Sequence, residues 1–339
     1  MRVIHARNVH EALPKGLQLL QDDGVDRNSR NGPVRMMRCP VTTVYKKPCE
    51  RVVFWGARDA NPAFHLYEAL WMLTARRDVE PLTRYAKNMI NYSDNGISLH
   101  AAYGNRWIRH FGKNQLEHIS HRLKADPDDR RSVLGIWDPA ADLDFNSKDL
   151  PCNLMATLQR SDSGALDLTV FCRSNDIIWG AYGANAVQFS VLQEYLSLWI
   201  GCSVGVYNQI SVNYHAYTNV LDPLTQTMPE RPWELPNPYH LQVKVLPMDS
   251  SMRDPRAIDW FLRDVDSGFH HRRADGPWLQ TARAVLKAHH HWKTHTNARC
   301  RYSVALSVLA EEAPDPEVDW VVAMKEWILR RQKIWEAKQ

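Results

Sequence analysis

Between Leu150 and Tyr217 the chain carries a thiol, an arginine, a serine, a carboxylate, an amide, a histidine and a phenol. These are Cys152 after Pro151, the run Arg173-Ser174-Asn175-Asp176, then Asn185, His215 and Tyr217. A thiol attacks as its thiolate, so it needs a cation or base nearby to lower its pKa. Arg173 can supply that charge, and its planar fork also fits a phosphate. A free cysteine alone is more often a small buried hydrophobe than a nucleophile. The company of Cys152 is what speaks for covalent chemistry.

These groups need a scaffold. Residues 154–158 and 165–172 read as strands joined by a hairpin turn over 160–164. A small-residue loop, 180–185, leads into a helix over 186–200. Upstream, the spacing of Leu66, Leu70 and Leu73 predicts a helix over 62–73. Glu68 sits near its apolar side, where a bare carboxylate is costly, so it needs a partner or a raised pKa. Residues 2–4 read as a strand, 9–20 as a helix, 26–33 as a polar loop, and 34–45 and 51–55 as strands. Helices are expected over 78–88 and 114–124, the second ended by Asp126-Pro127. Beyond Asp222 lie a Pro-rich loop (229–238), a short strand (243–246) and helices over 255–266, 277–292 and 316–338. The last carries Trp320, Trp327 and Trp335. His289-His290-His291 fan around a helix and cannot easily share a metal, so no metal site is expected.

Bulk properties narrow the class. The 339 residues are 44% hydrophobic, ample for a packed core. A net charge of +4 without a Lys/Arg tract suits a small anion and gives no reason to expect nucleic acid. Six scattered cysteines with no CxxC pair point to reduced thiols and a cytoplasmic protein. Neither a membrane span of about 18 apolar residues nor a signal peptide is expected.

Six motifs in order resemble the thymidylate synthase superfamily, which includes the pyrimidine nucleotide hydroxymethylases. They are Glu68-Ala69-Leu70-Trp71, Tyr103-Gly104-Asn105-Arg106-Trp107, Asp126-Pro127-Asp128-Asp129-Arg130-Arg131, Pro151-Cys152, Arg173-Ser174-Asn175-Asp176 with Gly180 and Asn185, and His215-Ala216-Tyr217. The match runs from about Arg30 to Asp222. It implies an α+β fold, a mixed sheet packed with helices, with the sheet at a homodimer interface. A core over residues 1–222 would carry a divergent, mainly helical region over 223–339.

The resemblance also assigns roles. Cys152 would add to C6 of a pyrimidine, turning C5 into a carbon nucleophile that attacks a one-carbon unit. That unit comes from 5,10-methylenetetrahydrofolate as co-substrate. Glu68 would organise proton transfer at the base, and Tyr103 would line the pocket. Arg30 (Arg27 second), Arg173 and Ser174 would hold the phosphate, with Arg130 and Arg131 reaching across from the other subunit. His215 and Tyr217 would hold the sugar 3'-hydroxyl, and Asp176 and Trp71 would face the folate. Asn185 would read the base, matching uracil by accepting from N3–H and donating to O4, whereas an Asp would favour cytosine. This requires one extra residue in the loop 180–185; without it Ala184 occupies the position.

Three departures bear on the product. The synthases usually carry His after the Cys, where Asn153 stands; Gln before Arg-Ser, where Cys172 stands; and a Trp facing the intermediate plus a closing tail, neither recognisable. Tyr92 is a partial substitute for that Trp. A looser site lets water capture the C5 methylene, and Arg-Ser-Asn-Asp resembles the version in phage deoxycytidylate hydroxymethylase. The expectation is therefore a hydroxymethylase acting on dUMP, or dCMP, of the kind that supplies modified phage DNA. A methylating enzyme and a nucleotide- or RNA-binding scaffold are the competing readings. Cys152→Ala separates the last: turnover should vanish while nucleotide binding is largely kept. Retention of more than a few per cent of the rate would rule out the covalent route.

Overall fold

The computed structural model describes residues 1–229, 235–271, 276–297 and 299–339. Its centre is an eight-stranded mixed sheet. The strands are β1 (Arg2–Ala6), β2 (Val25–Ser29), β3 (Gly32–Met36), β4 (Val41–Tyr45), β5 (Val133–Gly135), β6 (Asn153–Arg160), β7 (Leu166–Asp176) and β8 (Val204–Tyr217). The order is β1-β4-β8-β7-β6-β5, with β3 on the far half of β8 and β2 outside β3. β7 runs parallel to β8 and antiparallel to β6. The long β8 pairs β4 over Tyr207–Ser211 and β3 over His215–Tyr217.

That shared edge corrects the single strand expected over 34–45. The chain leaves β3 at Met36, Met37 N–H donates to Tyr214 O at 2.9 Å, and β4 resumes at Val41 along the same neighbour. The loop expected over 26–33 is instead the hairpin of β2 and β3, with Arg30-Asn31 at its tip. Its polar outer strand shows no alternation because nearly all of it faces water. Residues 51–55 form no strand. Two of their N–H groups go to side chains, Val52 to Tyr239 Oη and Phe54 to His10 Nδ1. The helix expected over 78–88 is two short turns, Glu80–Thr83 and Lys87–Tyr92, broken by extended backbone at Ala86. Residues 243–246 give one bridge, Lys244 to Val318, rather than a strand.

Helices cover one face of the sheet: α1 (Val9–Asp23) and α4 (Asn185–Ile200). α2 (Pro62–Leu73) begins at Asn61, whose side chain caps Ala63 and Phe64 N–H groups, with Pro62 in the first turn. Apart from Phe64 every residue of α2 is buried, as for a helix enclosed on all sides. It packs on α4, and from the other side on α6 (Pro255–Ser267), α7 (Pro277–Thr294) and α9 (Asp319–Glu336). α3 (Gln115–Ala125) ends at Asp126 before Pro127, as expected, and α5 (Thr218–Thr225) follows β8. Sequence reading missed α8 (Arg301–Glu312), packed on α7 and α9. Of the Pro-rich loop expected over 229–238, residues 230–234 lie outside the described residues.

Buried charge ties the C-terminal helices to the sheet domain. Arg51 pairs with Glu194 of α4 at 2.5 Å, and Glu194 Oε1 accepts from Met248 N at 2.9 Å. Tyr239 donates to Asp319 at the start of α9 at 2.9 Å. Burial pushes the Asp319 carboxyl up to about 7 against the pull of Tyr239 and Arg51. The other face of the sheet is less covered: Val3, Val133 and Val212 are exposed, with Met155, Phe171 and Ile210 half-buried between them. Among the described residues no helix is long and apolar enough to cross a membrane.

Candidate active site

Strand register gathers the reactive groups. Cys152 precedes β6, and its carbonyl accepts from Arg173 N at 2.9 Å across the β6–β7 pair. At the end of β7, Asp176 lies opposite His215 and Ser174 opposite Asn213 on β8. Arg173 turns its side chain back onto the cysteine loop, donating to Pro151 O at 2.8 Å and Leu150 O at 3.1 Å. It thereby fixes the loop that presents the thiol. Burial pushes the Cys152 thiol up, and Arg173 and Arg30 pull it back only in part. The activating cation is present but does not by itself make a thiolate.

Tyr103 follows the close crossing of its segment over α2. A Cβ at Gly104 would lie 1.8 Å from Met72 O, so only glycine permits that approach. The Tyr103 hydroxyl accepts weakly from Asn153 N at 3.5 Å. Glu68 is buried, and its carboxyl is pushed up to about 7 by desolvation, with the Gln188 side chain as its hydrogen-bond partner. Both Glu68 Oε2 and Gln188 Oε1 are buried without a hydrogen-bond partner among the described residues.

Residues Ile177–Ala184 form a kinked segment with π-type turns and non-helical backbone at Tyr182 and Gly183; a π-turn holds one more residue than an α-turn. Asn185 then opens α4 with its side chain toward the cysteine strand. Its Oδ1 accepts from Asn153 Nδ2 at 3.1 Å. Asp176 caps the π segment, its Oδ1 accepting from Ile178 N and Trp179 N at 2.8 and 2.9 Å. Its Oδ2 is buried without a partner among the described residues, and burial pushes its pKa up.

Arg30 and Tyr217 line one cavity of about 640 Å³ with Asn31, Tyr92, Lys148 and Trp179. Asn31 Nδ2 donates to Tyr217 Oη at 3.4 Å, joining the hairpin tip to the end of β8. Burial pushes the Tyr92 phenol up, with Tyr217, Asp176, Asp149 and Cys152 as its ionisable neighbours. Three of the expected residues outside its lining, Trp71, Arg130 and Arg131, are engaged elsewhere or exposed. Trp71 is buried, its indole N–H donating to Asp78 O and Oδ1 at 3.2 and 3.1 Å. Arg130 and Arg131 are exposed; the Arg131 backbone N–H donates to Asp129 Oδ2 at 3.2 Å, and its guanidinium makes a 3.4 Å contact to Asp129 Oδ1. Sequence reading missed Trp179, stacked 4.4 Å from the Arg58 guanidinium, and Gln188. The signals were there: an aromatic three residues after Asp176, and a polar residue one helical turn after Asn185. Among the described residues no group of three or more His, Cys, Asp or Glu is arranged to hold a metal ion.

Residues 17–265 match the family model described as thymidylate synthase. This chain belongs to the thymidylate synthase family. It is 46% identical over its whole length to a protein of Pseudomonas phage M6 named deoxyuridylate hydroxymethyltransferase, covering 97% of that protein. A protein of the same name from Bacillus phage SP01 is 41% identical over 52% of this chain and 49% of its own length. A putative thymidylate synthase of Methanosarcina barkeri is 26% identical over 65% of this chain and 92% of its own. The chain is thus a one-carbon transferase for pyrimidine nucleotides.

The raised carboxyl gives a pH signature. Its pKa in the fold lies above the ordinary carboxylate value, so Glu68 is protonated below about pH 7 and loses that proton as pH rises through it. As a proton donor it should produce a falling limb of kcat/KM near pH 7. Glu68→Gln should cut kcat by about 10²- to 10⁴-fold and remove that limb while leaving nucleotide Kd within a few-fold. A variant whose profile keeps the limb would assign it to another group.

Proposed function

We propose that the chain hydroxymethylates C5 of dUMP with 5,10-methylenetetrahydrofolate as co-substrate. The observation that carries this is the Asn185 amide beside the cysteine strand. After its hydrogen bond from Asn153 it keeps one Oδ1 lone pair for N3–H, and its Nδ2 keeps an N–H for O4 of uracil. The phage relatives named deoxyuridylate hydroxymethyltransferase support the same base and product.

Cys152 adds to C6, and Glu68 protonates O4 so that charge does not build on the ring. Arg30, Arg173 and Ser174 hold the phosphate, and His215 and Tyr217 the 3'-hydroxyl. The folate supplies a methylene carbon. The unpartnered Asp176 Oδ2 fits the ring N–H donors of a pterin, which supports a folate subsite at the end of β7. Trp71, its indole committed to Asp78, would contribute there through packing alone. Loss of the C5 proton and departure of tetrahydrofolate leave the carbon on C5 as an exocyclic methylene. Hydroxide from water adds to that carbon, the electron pair passes into the ring as an enolate, and re-formation of C5=C6 expels the Cys152 thiolate. Trp179 and Tyr92, 55% and 46% exposed at the cavity mouth, favour entry of that water. Weighing the product decides the matter. Hydroxymethyl-dUMP with tetrahydrofolate is expected; thymidylate with dihydrofolate would make the chain a synthase.

The same reading makes the protein a homodimer, with residues 1–222 as catalytic core and 223–339 packed on it. The less-covered sheet face with Val3, Val133 and Val212 supports that interface. The exposure of Arg131, 80% in its side chain, leaves it able to reach a second copy. Two inactive proteins, Cys152→Ala and Arg130→Ala/Arg131→Ala, should regain activity when mixed under subunit exchange, because hybrids contain one intact site. Confirmed exchange without recovery would place the arginines outside the partner's site.

A further inference from the structure

Behind Asn185 lies a chain of buried amides. Asn153 Nδ2 donates to Asn185 Oδ1 at 3.1 Å. Asn185 Nδ2 donates to Asn175 Oδ1 at 3.1 Å, and Asn175 Nδ2 to Ser211 Oγ at 3.0 Å. All four residues are more than nine-tenths buried. Gly180 belongs to the arrangement. A Cβ there would stand 2.6 Å from Asn175 Oδ1 and 3.2 Å from Asn185 Nδ2, so a side chain would part the two amides. We propose that Asn175, with Asn153 on the other side, is a positioning residue that locks the Asn185 amide against turning alone out of its uracil-reading orientation; the Ser211 hydroxyl, which can donate or accept, closes the chain.

The proposal rests on Asn185 reading the base. Uracil offers N3–H and O4; cytosine offers a bare N3 and an N4 amino group. An Asn side chain suits either base, depending on which way its amide faces. A flip of Asn185 alone sets its oxygen against Asn175 Oδ1 and its NH2 against Asn153 Nδ2. Both are like-against-like contacts in a site closed to water, where an unpaired polar group is penalised. Asn185 therefore turns only if Asn153 and Asn175 turn with it. Base choice belongs to the chain of amides and not to Asn185 alone.

A carboxylate can only accept, which gives a test with opposite signs. Asn175→Asp must accept from Asn185 Nδ2, so it should keep or raise the dUMP:dCMP preference. Asn153→Asp must also accept from Asn185 Nδ2, which is satisfied only by the flipped amide, so it should lower the preference about tenfold or more. Asn175→Leu should lower it several-fold, and Asn175→Asp serves as the conservative rescue. The measurements are Kd by calorimetry and kcat/KM for both nucleotides in the full-length protein. A purely structural role would depress both nucleotides together and leave the ratio fixed. Asn185→Asp is the control. If it moves the ratio toward dCMP while the Asn175→Asp and Asn153→Asp ratios do not diverge, the amide lock is wrong and the base reader stands. If Asn185→Asp leaves the ratio unchanged, Asn185 does not read the base, and the lock falls with it.

Discussion

Strand β7 is hydrogen-bonded on both sides, and those two registers place the chemistry. Pairing with β6 sets Asn153 opposite Cys172 and brings the Cys152 carbonyl to Arg173 N; pairing with β8 sets Asp176 opposite His215. A slip of one residue on either side would turn every side chain to the opposite face. Nothing in the site could be repaired locally, because Cys152, Arg173 and His215 lie on three different strands or strand ends. The apolar inner residues Leu166, Leu168 and Val170, buried under α4, hold that register against slippage.

The same burial sets the electrostatics. Cys152, Glu68 and Asp176 all have their pKa values raised by desolvation, so burial opposes ionisation of each. For Glu68 that is useful, since a neutral carboxyl can give a proton. For Cys152 it runs against nucleophilicity, and the positive charges of Arg173 and Arg30 oppose it only partly. The arginine that the sequence offered as an activator is also a structural clamp on the cysteine loop.

Much of this was legible in the sequence where pattern and burial agree. The helix at Pro62–Leu73 and the strands on either side of the 160–164 turn follow from apolar spacing. The hairpin at Val25–Met36 was not legible, because Asp26, Arg27, Asn28 and Ser29 all face solvent and show no alternation. The false strand at 51–55 is β-branched and aromatic, yet it finds side chains rather than a neighbouring strand as partners for its N–H groups. In the site, sequence reading followed motifs and passed over Gln188 and Trp179, whose only signal is their spacing from Asn185 and Asp176. Asn153, Asn175, Asn185 and Ser211 come together only through strand pairing and the start of α4, and no local spacing announces them.

The π-turns before Asn185 have a bearing on how relatives are compared. A wide turn stores a residue without displacing the helix beyond it, so chains that differ in length here can still deliver the same side chain to the same place. On the proposed reading of Asn185, an ungapped comparison would set Ala184 in the base reader's column, and a substrate preference inferred from that column would describe the wrong residue.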